Sequence, residues 1–203
     1  MRGRYLPVIA LAGACWPTLM WYAGRLTDGC DEPWGLVSLA TLVALAVMRA
    51  PPRPSCEPLL GTVTGLLILY ASAFWWAPPL VRAIIAVTAC TLLLSPQIFG
   101  DRFHLGAWAL AVLSLPLLSS LQFYLGYPLR LGVSMLTASL LGMAGFSVSP
   151  EGAALAWAGQ PLVVDAPCSG IRMLWVTLYL AATLSCLLRL DAPRTLVLLG
   201  TGG

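Results

Sequence analysis

Long apolar runs separated by short polar loops occupy most of the chain. Their lengths, bounded by Pro, Gly and charged residues, are typical of membrane helices. Seven such runs predict helices near residues 5–23, 35–48, 58–76, 80–95, 105–121, 127–145 and 169–188. The pattern therefore predicts an all-α fold, a polytopic integral membrane helical bundle.

The composition agrees with a membrane protein. Of the 203 residues, 59% are hydrophobic and 9% are charged, and the mean hydropathy is +0.87, far from the composition of soluble domains. The first run follows the basic start M-R-G-R-Y and could be a signal peptide, but it continues past Cys15 to a spanning length, which favours a retained helix. The net charge of +3 is spread thinly along the chain, which excludes nucleic acid as a partner.

Two parts of the chain differ in their polar content. Residues 1–104 predict about four N-terminal spans, and residues 105–203 predict a core region with the candidate chemistry and an incomplete last span. Arginines next to the helices indicate the cytoplasmic side. They are Arg2, Arg4, Arg49, Arg53, Arg189 and Arg194. This distribution predicts that Cys168 faces outward.

Counting six crossings before Cys168 would instead place it inside, so one apolar run must not cross. The stretch 115–145 contains prolines, Gln122 and Arg130. Non-helical backbone and intramembrane charge are tolerated beside a cavity or at the interface. We therefore expect residues 127–145 to form a re-entrant or interfacial helix on the outer side, roofing a pocket. After it, S-P-E-G within β-favouring residues predicts a short outward-facing hairpin before Cys168.

The segment D-A-P-C-S-G-I-R-M-L-W, residues 165–175, carries the candidate chemistry. A helix N-terminus favours a thiolate, so Cys168 at such a position is a candidate nucleophile. Ser169 can cap the helix, and Gly170 lets a substrate carbonyl approach the backbone. Arg172 either favours the thiolate or extends toward head groups, and Asp165 either orients a cation or caps the turn. The alternative for Cys168 is a small hydrophobic residue in a membrane helix.

The other cysteines and the single histidine give no further site. Cys15, Cys90 and Cys186 lie within apolar runs and are expected to pack as small hydrophobic residues. No C-x-x-C pair and no metal-ligand spacing occurs, so neither a metal nor another cofactor is expected. His104 lies in a loop predicted to be cytoplasmic, which argues against a dyad with Cys168.

The stretch D-A-P-C-S-G-I-R-M-L resembles the cysteine motif of the exosortase and archaeosortase family, and the resemblance extends over roughly residues 105–190. It implies a multi-pass enzyme that cleaves C-terminal sorting signals, each a short motif such as PEP followed by a transmembrane helix and a basic tail. The implied reaction proceeds through a thioester on the nucleophile, which Cys168 matches. The implied partners are exported proteins with such tails and membrane lipid, and the implied location is the inner membrane.

The family pattern continues with an N-x-x-R motif about forty residues after the cysteine, followed by a His or Arg. This chain ends at residue 203, and Arg194 comes too early to match that arginine. We therefore expect a truncated chain that lacks part of the catalytic set. Two alternatives follow: an incomplete relic or non-enzymatic scaffold that binds sorting tails, and, more weakly, a transporter.

Overall fold

The computed structural model describes residues 11, 13–27, 34–48, 59–157, 160–163 and 170–202. Eight helices and three strands are defined in these ranges. In chain order they are α1 (Trp16–Thr27), α2 (Trp34–Met48), α3 (Leu60–Ser72), a 3-10 turn (Ala73–Trp75), α4 (Pro79–Ile98), α5 (Leu105–Leu113), α6 (Leu117–Met143), β1 (Val148–Glu151), β2 (Ala154–Trp157), β3 (Gln160–Val163), α7 (Ile171–Leu188) and α8 (Ala192–Gly202). The predicted helical membrane fold is confirmed.

Among the residues that the structure describes, two helices are long and apolar enough to cross a membrane, α4 and α7. A third span exists if α5 and α6 are counted together, with a bend at the break between them. The apolar helices α2 and α3 are shorter, and a 15-residue helix such as α2 spans only about 22 Å of a hydrocarbon core about 30 Å thick. The expectation of about four spans in residues 1–104 stays a prediction.

The break between α5 and α6 lies earlier than predicted. The sequence suggested a division near residues 122–126, whereas α5 ends at Leu113 and α6 runs unbroken through Pro128 to Met143. Pro116 explains the position, since a proline disfavours helical backbone at the residue before it. The Ser114 hydroxyl also donates to the carbonyl oxygen of Ala111, 2.7 Å away, and so satisfies one group at the end of α5.

The chain divides into two compact units, residues 1–117 with 177–203 (unit 1) and residues 118–176 (unit 2). In unit 1, α3 packs along α4, and α5 packs against α2, α4 and α8. One buried cluster joins Leu45 of α2, Leu110 of α5, and Ala182 and Cys186 of α7. Small side chains at these crossings let the helix backbones approach closely, as is usual between membrane helices.

Buried hydroxyl groups connect the helices of unit 1. The Ser38 hydroxyl in α2 donates to the carbonyl oxygen of Leu110 at 2.8 Å, and Ser38 is fully buried. The hydroxyls of Ser185 and Thr195, also fully buried, lie 2.6 Å apart and link α7 to α8. Each bond satisfies a polar group that would be costly if it were left alone in an apolar interior.

In unit 2, α6 ends in a Schellman motif that leads into the sheet. Phe146 donates its amide hydrogen to the carbonyl of Leu141 at 3.0 Å, and Gly145 donates to that of Gly142 at 3.1 Å. Gly145 has a φ of +89°, a conformation that a residue with a Cβ adopts only at a cost. The motif closes α6 and sets the direction in which the chain enters β1.

The strand pairing of the predicted hairpin is confirmed and extends to a third strand, whereas its outward orientation stays a prediction. Strands β1, β2 and β3 form an antiparallel sheet in that order, and the turn between β1 and β2 falls at Gly152 and Ala153. Ser149 and Pro150, predicted as part of the turn, therefore belong to β1. The turn lies later in the chain than predicted because it requires a positive φ, which Gly152 provides at +62°.

We predict that Gly106→Ala in α5 destabilises the protein. An added Cβ would lie 3.1 Å from the carbonyl oxygen of Ala182 and 2.9 Å from the Ser185 hydroxyl. Because the carbonyl belongs to a packed helix, relief requires a backbone shift, at a cost of roughly 1–3 kcal/mol. Thermal unfolding in detergent micelles, followed by circular dichroism, should show a lower midpoint.

Gly65→Ala is the matched control, because an added Cβ in exposed α3 meets nothing within 4 Å. Helix propensity there favours alanine by up to about 1 kcal/mol. Equal midpoints for the two variants would show that α5 and α7 are not in close contact at Gly106.

Candidate active site

The predicted site segment lies at the end of unit 2. Cys168, Asp165 and Ser169 are outside the described residues, so their predicted roles stay predictions. The structure defines the elements on either side: β3 ends at Val163, and α7 begins at Ile171. The segment with Cys168 connects these two elements along the chain.

The start of α7 differs in detail from the prediction. The Leu174 amide donates to the carbonyl of Gly170 at 2.9 Å, which makes Gly170 the residue that precedes the first helical position. Gly170 has a φ of +74°. This left-handed backbone is not helical, so α7 begins after Gly170. The described helix therefore begins at Ile171, two residues after the predicted start near Ser169.

The first turn of α7 has one buried and one exposed side. Ile171 and Trp175, one turn apart, are 2% and 4% exposed. Arg172 and Met173 are exposed. Arg172 therefore lies in the first turn of α7, and its predicted influence on the Cys168 thiolate stays a prediction.

The two faces of the small sheet differ in character. The strand register pairs Val148 with Trp157, Trp157 with Gln160, and Leu155 with Leu162. Paired residues, and residues two apart, lie on the same face of a sheet. One face, here called the apolar face, therefore carries Val148, Pro150, Leu155, Trp157, Gln160 and Leu162. The other face carries mainly small residues and Glu151.

A cleft lies between the apolar face and the end of α6. It is lined by Leu141, Phe146, Val148, Trp157 and Leu162 and has a volume of about 240 Å³. Leu141 and Phe146 are the two residues joined by the Schellman bond at the end of α6, a pair that commonly makes an apolar contact. Phe146, Trp157 and Leu162 are each about half exposed, at 52%, 51% and 49%. The cleft is therefore open.

Ser134 joins α6 to the sheet. Its hydroxyl lies 2.7 Å from the carbonyl oxygen of Gly152 in the β1–β2 turn and 2.9 Å from that of Leu131. Ser134 is fully buried and lies on the face of α6 that also carries Gly126, Arg130 and Ala138, at a spacing of four residues. This contact fixes the turn, and with it the sheet, against α6.

Arg130, predicted to face a cavity or the interface, makes a local bond. Its Nε donates to the carbonyl oxygen of Gly126 at 3.1 Å, one turn earlier in α6. Its side chain is half-buried. Within the described residues, this bond therefore gives Arg130 a role in α6 itself.

A cysteine–histidine contact occurs elsewhere, in unit 1. The Cys186 sulfur lies 4.0 Å from Nδ1 of His104. Nδ1 also accepts the Ala107 amide hydrogen at 3.3 Å, so His104 caps the start of α5. Cys186 is fully buried and His104 is 4% exposed. Both side chains pack in the interior of unit 1, as expected for Cys186, but no local pattern in the sequence indicated that His104 would be its neighbour.

We predict that Ser134→Ala weakens the attachment of the sheet to α6. The change removes the hydroxyl that donates to the carbonyl of the exposed Gly152, which costs about 0.5–1.5 kcal/mol, the net contribution of one hydrogen bond. Amide hydrogen exchange in residues 148–157 should become faster, while exchange in α4 of unit 1 stays unchanged.

Ser139→Ala is the matched control on the same helix. Ser139 is exposed, and its hydroxyl donates at 2.9 Å to the carbonyl of Met135 within α6. Removing it should leave exchange in the sheet as it was. The same exchange rates in both variants would contradict the proposed attachment.

Comparison with known proteins places the whole core region in one family. The family model described as transmembrane exosortase (Exosortase_EpsH) matches residues 21–202. No curated protein and no solved structure matches the chain significantly. The match spans all the helices from the end of α1 to α8, the sheet and the segment that contains Cys168. The chain therefore belongs to the transmembrane exosortase family.

Proposed function

We propose that the protein is an exosortase-like cysteine transpeptidase or protease that cleaves C-terminal sorting signals of exported proteins, with Cys168 as the nucleophile. The observation that carries the proposal is the segment D-A-P-C-S-G between β3 and α7, within the region that matches the family. It resembles the family's cysteine motif, and α7 begins three residues after the cysteine.

The proposed reaction starts with attack of the Cys168 thiolate on the carbonyl carbon of a peptide bond in the sorting signal. The sulfur–carbon bond forms, the carbon–nitrogen bond breaks, and the leaving amine takes up a proton. An acceptor nucleophile then attacks the thioester carbonyl and releases the thiolate. Amide hydrogens at the start of a helix can polarise the carbonyl that is attacked, and the first turn of α7 is close to Cys168 along the chain.

The sheet supports a position of this chemistry outside the hydrocarbon of the membrane. Open sheet edges do not occur in contact with lipid tails, because their amide and carbonyl groups would lack partners. Strands β1 and β3 are both edges of the three-stranded sheet. Cys168 follows Val163 by five residues, a reach of at most about 18 Å. The proposed location is the outer side of the inner membrane, with membrane lipid and sorting-signal proteins as partners.

Replacing Cys168 with Ala tests the proposal in cells that express the full reading frame and a tagged reporter with a PEP-type tail. Processing should fall by roughly 10³-fold or more, because the nucleophile is lost. The measurement is the ratio of cleaved to uncleaved reporter on immunoblots.

Cys90→Ala is the matched control. Cys90 is a partly buried cysteine of α4 in unit 1 and should be dispensable for processing. Unchanged processing by the Cys168→Ala variant, at equal protein level, would falsify the nucleophile assignment and favour a scaffold that binds sorting tails.

A further inference from the structure

We infer that the open edge of β3 and the adjoining cleft bind the substrate as an extended peptide strand, with one apolar side chain in the cleft. The inference rests on the proposed function for the identity of the substrate. Its structural basis is the position of β3, which is the last element before the segment that carries Cys168.

The backbone of β3 leaves an edge available. Within the described part of the chain, β3 pairs only with β2. Successive residues of an antiparallel strand direct their backbone groups to alternate sides. Pro161 has no amide hydrogen, and prolines are confined to strand positions that do not donate to the ladder. Pro161 and Val163 therefore fit positions that face away from β2, so the Pro161 carbonyl and both backbone groups of Val163 remain for a further strand.

The side chains of the cleft complement such a strand. A strand added beside β3 places every second side chain on the apolar face, next to Leu162. There the cleft offers Leu162, Trp157 and Phe146, each about half exposed. An apolar side chain in this place would cover surface that is otherwise exposed.

The size of the cleft argues for a side chain as its occupant. Its volume of about 240 Å³ is below the range of roughly 300–1,000 Å³ that is usual for drug-sized ligands. It therefore suits one or two aliphatic side chains and is too small for a transmembrane helix. The cleft would therefore recognise the extended segment near the scissile bond, and the transmembrane helix of the sorting signal would bind elsewhere.

The position of the edge also suits catalysis. Cys168 follows Val163 by five residues, so its Cα lies at most about 18 Å from that of Val163, next to which the strand would bind. Backbone bonds to β3 would fix the direction of the peptide, and the cleft would fix its register. Leu162 and Trp157 are thus positioning residues, since they hold the substrate and do not touch the bond that breaks.

Photo-crosslinking tests the inference directly. The photoreactive residue p-benzoylphenylalanine replaces Leu162 in the full-length protein that also carries Cys168→Ala, so that binding is measured without cleavage. After irradiation of intact cells, we expect a covalent adduct with the tagged PEP-type reporter. The control position is Glu151, which is exposed on the opposite face of the sheet and should give no reporter adduct.

Other adducts would overturn the inference. If Leu162 crosslinks only to lipid, the cleft is a membrane contact, and if it crosslinks only to a second copy of the protein, the cleft is a dimer contact. Equal reporter adducts at Leu162 and Glu151 would also contradict it. None of these outcomes depends on whether Cys168 is the nucleophile, so failure of the docking site and failure of the proposed function are distinguishable.

Substitution of Leu162 in the protein that retains Cys168 provides a second measurement. Leu162→Glu should raise the reporter concentration needed for half-maximal processing by about tenfold or more, because it puts a charge where an apolar side chain binds. Maximal processing should change little. Leu162→Met keeps the volume and apolar character and should restore the original value. An unchanged half-maximal concentration in the Leu162→Glu variant would overturn the assignment of Leu162.

Discussion

Hydrogen bonds from buried hydroxyl groups to the backbone or side chains of neighbouring helices are the interaction on which the rest of this structure depends. Apolar surface alone gives membrane helices little reason to associate, because lipid tails are as apolar as the side chains. The bond from Ser38 to the carbonyl of Leu110 joins α2 to α5, and the Thr41–Tyr179 hydroxyl contact of 2.7 Å joins α2 to α7. At Gly106, α5 also approaches α7 closely, because an added Cβ would lie 3.1 Å from the carbonyl oxygen of Ala182.

The same interaction positions the candidate site in unit 2. Ser134 bonds to the turn of the sheet, and the Schellman motif at Gly145 determines how the chain leaves α6. Together they fix both ends of β1, since Phe146 precedes the strand and Gly152 follows it. Through the register of the sheet, the position of β3 is then determined, and β3 is the element from which the segment with Cys168 begins.

The sequence predicted the bounds of a helix well where a single local signal was strong. The apolar run after the prolines at 78 and 79 predicted α4 closely, because a proline at the first helical position starts a helix well, and α4 begins at Pro79. It failed at α6, where a division near residues 122–126 was predicted, whereas the helix continues through Gly126 and Pro128 to Met143. Pro128 removes only one backbone bond, and favourable packing of Ser134 and Ala138 is not visible in a local pattern.

The sequence marked a candidate site but could not describe the structure around it. The cysteine motif marked the segment before α7, and turn residues predicted a hairpin. The third strand was missed because Gln160 and Pro161 are poor strand formers by propensity. The pairing with β2 explains why these two residues form a strand, since Gln160 lies opposite Trp157 there. The contact between His104 and Cys186 was likewise invisible, because 82 residues separate them.

An open sheet is an unusual element for a membrane protein, and its position follows from solvation. Within the described residues both edges of the sheet are unpaired, and such edges are tolerated only where water, protein or another polar partner meets them, not where lipid tails do. Its apolar face nevertheless has half-exposed Trp157 and Leu162, which water solvates poorly. A transient peptide strand satisfies both requirements at once, because its backbone pairs with the edge while its side chain covers the cleft. A lipid tail could cover the cleft but would leave the amide and carbonyl groups of the edge unpaired. The combination of an open backbone edge and an apolar cleft therefore favours a peptide over lipid as the occupant.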